Sequence, residues 1–94
     1  MSFLRLNRRS SRTSLLQIFK QINAEIQPSE NPYIIDALKD NTIFNASIRT
    51  HDVIFQITST NSQGLINCRK LEFNVNDLAD DAGRKQISSM LSRI

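Results

Sequence analysis

The chain has one cysteine, one histidine, two glycines, two prolines and no tryptophan in 94 residues. A lone Cys68 excludes an internal disulfide framework and a cysteine-based zinc cluster. With only Gly64 and Gly83, there is no glycine-rich loop to cradle a phosphate. No apolar run approaches the roughly 18–20 residues a membrane-spanning helix needs. No stretch near the N-terminus has the apolar centre of a secretory signal, so the Asn45-Ala46-Ser47 glycosylation match reads as chance. The default expectation is an intracellular, soluble, cytoplasmic protein.

What is present is an Ile-rich, aromatic-poor apolar set. Hydrophobic residues make up 39% of the chain, and five Phe and one Tyr supply the aromatic bulk. A thin core follows: one sheet covered on one face, with burial completed by a partner or a second copy in a homodimer. The net charge of +3 is unevenly distributed. Residues 1–24 hold Arg5, Arg8, Arg9, Arg12 and Lys20 and no acid, so the excess positive charge sits wholly at that end. Residues 1–12 read as a basic flexible arm, and 13–94 as a single small α+β domain. An acid-free, Arg/Ser-rich start also matches an organelle-targeting segment.

The pattern along the domain predicts helix, strands, helix. Leu15, Ile18, Phe19, Ile22 and Ile26 recur at helical spacing over Thr13–Gln27, with Ser14 and Gln17 as a capping box and Pro28 as the stop. The polar side of that helix carries only Lys20 as a cation, which favours core packing over a membrane surface. Asn31-Pro32 predicts a further short helix over Asn31–Asn41, although Tyr33-Ile34-Ile35 equally suits the opening of a strand.

Three segments rich in Ile, Val, Phe and Thr then read as an antiparallel meander: Thr42–Arg49, Val53–Thr60 and Leu65–Val75. Apolar parity switches between the first two, which calls for a tight turn through Thr50-His51. It also switches within the third, between Ile66/Cys68 and Leu71/Phe73/Val75, which predicts a β-bulge near Arg69-Lys70. Gly64 suits a positive φ in the second hairpin turn. Asn45, Ser47, Gln56, Thr58, Lys70, Glu72 and Asn74 fall on the sheet face away from the core. The last helix is capped at Asn76 or Asp77 and carries the stripe Ile87, Met90, Leu91 and Ile94, weakened by Gly83. The expected fold is thus α+β, a three-stranded antiparallel meander flanked by an N-terminal and a C-terminal helix.

Candidate sites are few. His51 and Cys68 would make a nucleophile pair only if brought into hydrogen-bond reach, and a turn histidine and an ordinary thiol account for them more simply. Asp77, Asp80 and Asp81 lack the spacing of a calcium loop and suit a helix N-terminus. No metal and no cofactor is expected, and the chain reads as a non-enzyme. Arg5, Arg8, Arg9 and Arg12, with Arg84 and Lys85, form the candidate contact with an anionic partner: nucleic acid, anionic membrane or acidic protein. Ser10, Ser11 and Ser14 lie among these arginines, where phosphorylation would cancel the charge.

The order helix–three strands–helix resembles double-stranded-RNA-binding domains, with Gly83-Arg84-Lys85 as the run matching their basic cluster. It is also similar to the kinase-associated C-terminal domain, through Ile87-Ser88-Ser89-Met90-Leu91. The first resemblance implies nucleic-acid binding and the second anionic-lipid binding. Because the folded part is slightly acidic, the primary expectation is instead an adaptor, inhibitor or subunit that docks a protein.

Overall fold

The computed structural model describes residues 8–94, and side chains from residue 9 onward. Its elements are α1 (Arg8–Gln21), β1 (Glu25–Gln27), β2 (Ile34–Lys39), β3 (Thr42–Ile48), β4 (Asp52–Thr60), β5 (Ile66–Asn74), α2 (Asn76–Ala79) and α3 (Asp81–Ser92). The class is α+β, with a five-stranded antiparallel sheet in the simple order β1-β2-β3-β4-β5. Three strands were expected. The two additional ones come from segments whose patterns predict helix.

The first is β1. The apolar stripe of α1 ends at Ile22, because Asn23 adopts a left-handed φ of 63°. The amide of Asn23 then donates to the Lys20 carbonyl, and that of Ala24 to the Phe19 carbonyl, at 3.1 and 2.9 Å. This double closure is a Schellman stop, so Ile26 leaves the helix and joins β1. The start also differs from expectation. Residues 8–12, expected in the arm, form the first turns of α1, which leaves Ser14 inside the helix and unable to cap it.

The second is β2, which replaces the short helix expected over Asn31–Asn41. The Asn31 side chain accepts from the Tyr33 amide at 2.9 Å, and its carbonyl accepts from the Ile34 amide at 3.1 Å. Asn31 and Pro32 therefore make a turn that launches a strand rather than a helix. Asp40, at φ 52°, closes the tight β2–β3 hairpin.

The expected turn through Thr50-His51 is present, closed by the Arg49 amide donating to the Asp52 carbonyl at 2.9 Å. Gly64 does take a positive φ of 81°, and the Asn61 side chain binds the amides of Gln63 and Leu65 to hold that turn. The expected bulge in β5 is absent: its register against β4 runs without interruption from Asp52↔Asn74 to Thr60↔Ile66. Ile66 and Cys68 differ in parity from Leu71 and Phe73 because they lie on the opposite face of the sheet.

The helices cover one face. Leu15, Ile18, Phe19 and Ile22 of α1 and Ile87 and Leu91 of α3 pack with Ile35, Phe44, Phe55 and Ile57. The Phe19 ring lies 5.7 Å from Phe44 and 6.0 Å from Phe55, and Phe55 meets Phe73 edge-on at 5.6 Å. The predicted single terminal helix divides at Asp80, whose extended backbone separates α2 from α3. Leu78 of α2 is fully buried beneath this break. Gly83 sits where α3 crosses α2: a Cβ there would strike the Asp77 carbonyl. It permits a close approach that any side chain would prevent.

Candidate interaction surface

Strand register determines which side chains share the uncovered face. One row across it is Leu38, Ile43, Thr58 and Cys68; the next is Asp36, Asn45, Gln56 and Lys70. A third holds Ile34, Ser47, Ile54 and Glu72. The polar residues expected on this face are all there. The apolar ones were not foreseen: Leu38 and Ile43 are direct cross-strand partners and are 37% and 50% exposed. Ile66 and Leu65, at 69% and 62% exposure, extend apolar surface toward the β4–β5 hairpin tip. Beside the first row, the Asn45 side-chain amide donates to the Asp36 carboxylate at 2.7 Å and fixes a polar border. The sequence signal for this patch is the parity of Thr42–Ile48, which puts Ile43 on the face opposite Phe44, Ala46 and Ile48; Leu38 carries no such signal, because Ile34–Lys39 does not alternate.

The expected anion-contacting residues do not form one cluster of free cations. Arg5 lies outside the described residues, and Arg8 opens α1. Arg9 is exposed one turn from a half-buried Arg12. Ser11, between them, is buried and so is inaccessible to a kinase in the folded chain. Arg84 is occupied in the chain's own structure: it donates to the Leu78 carbonyl at 2.8 Å and faces Asp81 at 3.5 Å. Lys85 reaches the same carboxylate at 3.2 Å. The Arg84–Leu78 bond ties the start of α3 to α2, and both ion pairs lie within the first turns of α3. The five-stranded sheet also departs from the three-strand order on which the resemblance rests.

Two other arginines do converge. Arg69 of β5 and Arg93 at the end of α3 line a groove of about 240 Å³ with Ser59 and Asn67, at the end of the sheet beyond the helices. Arg69 follows the parity of Phe73, so it points to the helix side and not to the open face.

The structure also places the two residues considered as a nucleophile pair. His51 lies in the β3–β4 turn, whereas Cys68 pairs with Thr58, seven residues farther along the chain and on the order of 20 Å away. They do not form a nucleophile pair. Among the described residues, no three His, Cys, Asp or Glu side chains gather as metal ligands. No described helix is long and apolar enough to cross a membrane. No family model matches the chain, no curated protein matches its sequence, and no solved structure matches its fold.

Proposed function

We propose that this chain is a non-enzymatic interaction module, an adaptor, inhibitor or subunit, that docks a protein partner through the open face of its sheet. The observation that carries this reading is the exposed Leu38–Ile43 pair on the face without helices. Scattered exposed aliphatics are ordinary, but adjacent ones on a flat surface with a polar border match the apolar centre and polar rim of protein interfaces. The border here is the Asp36–Asn45 hydrogen bond and Lys70. The basic N-terminal segment adds electrostatic steering toward an acidic partner. Nucleic-acid binding is less favoured, because Asp81 engages both Arg84 and Lys85.

The test compares the full chain with Ile43→Lys and with Arg84→Ala/Lys85→Ala. Each is used to capture proteins from cells that express it, followed by direct titration of the recovered protein. A partner held at near-physiological salt, weakened at least tenfold by Ile43→Lys and unaffected by the double alanine change, is expected. Equal affinity for Ile43→Lys would remove the open face as the contact. Binding to duplex RNA or anionic vesicles that persists at the same salt would replace the reading altogether.

A further inference from the structure

The two edges of the sheet are unequal. β1 has three residues and runs into Pro28. β5 has nine, carries no proline or bulge, and has no pairing strand on its outer side among the described residues. An edge of that length is a template for another strand, and natural proteins usually guard it.

The hydrogen-bond phase identifies the groups on offer. At the two ends of the β4–β5 ladder, Val75 donates to the His51 carbonyl and Asn61 to the Leu65 carbonyl. In an antiparallel ladder the bonded positions alternate, so odd-numbered residues of β5 bond to β4. Even-numbered residues therefore direct their amides and carbonyls outward: Cys68, Lys70, Glu72 and Asn74 in the central run. The same residues place their side chains on the open face.

We propose that this edge pairs with the β5 edge of a second copy, antiparallel and centred on Leu71. Charge selects the register. Pairing centred on Lys70 sets lysine against lysine, and pairing centred on Glu72 sets glutamate against glutamate. Centring on Arg69 opposes two arginines across the helix side. Centring on Leu71 sets Lys70 opposite Glu72 of the second copy, and Glu72 opposite its Lys70. Opposite charges directly across a ladder stabilise it, and like charges destabilise it. Four residue pairs, Lys70 with Glu72 and Cys68 with Asn74 each twice, then exchange about eight backbone hydrogen bonds.

The helix side of β5 fits the same arrangement. Leu71 and Phe73 are only half-buried, because α3 packs on α1 and α2 and not on β5. In this register Leu71 meets its own copy at the two-fold axis, and Arg69 lies across from Phe73, where a guanidinium can stack on the ring. The result is a continuous sheet through two protomers. The edge is distinct from the Leu38–Ile43 patch, so the proposal does not rest on the open-face reading.

The experiment is sedimentation equilibrium on the full chain from about 1 μM to about 1 mM, the range in which weak association registers. A mass rising from 10.8 kDa toward twice that value is expected. Lys70→Glu and Glu72→Lys, both exposed, should each weaken the dimer at least tenfold by creating two like-charge pairs. An equimolar mixture of the two variants should dimerise again, since each supplies the charge the other lacks, and the double reversal should regain wild-type affinity. Monomer throughout, dimerisation of the single variants equal to wild type, or failure of the mixture to recover would each overturn the proposal. So would a dimer that survives both reversals and is lost in Ile43→Lys, which would place self-association on the open face.

Discussion

Both faces of this sheet carry aliphatic residues, and those residues have opposite fates. Ile57 and Ile43 are both strand isoleucines in neighbouring strands; the first is 1% exposed and the second 50%. Neither β-propensity nor hydrophobicity separates them. What separates them is the helix layer, which lies on the side of Phe44, Phe55 and Ile57 and leaves the side of Ile43 uncovered. The covered face accounts for stability, and the uncovered face is available for contact. An aliphatic residue in a small sheet is therefore a core residue only if another layer reaches it.

The largest break in that contrast should come from Phe55→Ala. Phe55 is fully buried, touches Phe19 and Phe73, and sits where strand and helix layers meet. Truncation should cost about 3–5 kcal/mol, read as a lower urea midpoint with a similar slope. That is a large part of the stability of a small domain.

A smaller but more diagnostic loss should follow Gly83→Ala. In an isolated helix alanine is better than glycine by about 1 kcal/mol. Here the added methyl meets the Asp77 carbonyl, so the net effect should be destabilising by about 1–3 kcal/mol. A stabilised variant would show that the α2–α3 junction gives way easily.

The smallest stability effect belongs to the open face. Ile43→Lys removes one side of the Leu38 pair but leaves the lysine stem on the sheet and its charge in water, for a cost below about 1 kcal/mol. The same substitution is expected to have the largest effect on partner binding. A stability loss comparable to that of Phe55→Ala would mean that Ile43 belongs to the core, and the contrast between faces would fall.

Some of this architecture could be read directly from residue order. The stripe Leu15, Ile18, Phe19 and Ile22 marked the helix face that packs, and the alternation in Thr42–Ile48 and Asp52–Thr60 marked the two central strands. The turns at Thr50-His51 and around Gly64 followed from parity and from glycine's freedom at positive φ. The polar half of the open face followed from the same parity. The segments that depart from expectation are those in which two local rules compete. Asn31-Pro32 fits a helix start and a turn equally well, and Ile26 fits a continuing helical stripe until Asn23 ends it.

Of the candidate contacts, residue order marks where cations are concentrated but not which of them converge across the fold. Asp81 lies three and four residues before Arg84 and Lys85, a local spacing, whereas Arg69 and Arg93 reach one groove only because the end of α3 comes near β5. Periodicity is a local property, and it determined the class, the central meander and one helix face. The uncovered patch, the Arg69–Arg93 groove and the exposed β5 edge depend on how the layers and strands are placed against one another. Contacts between residues far apart in the chain decide that, and so the tertiary structure alone did.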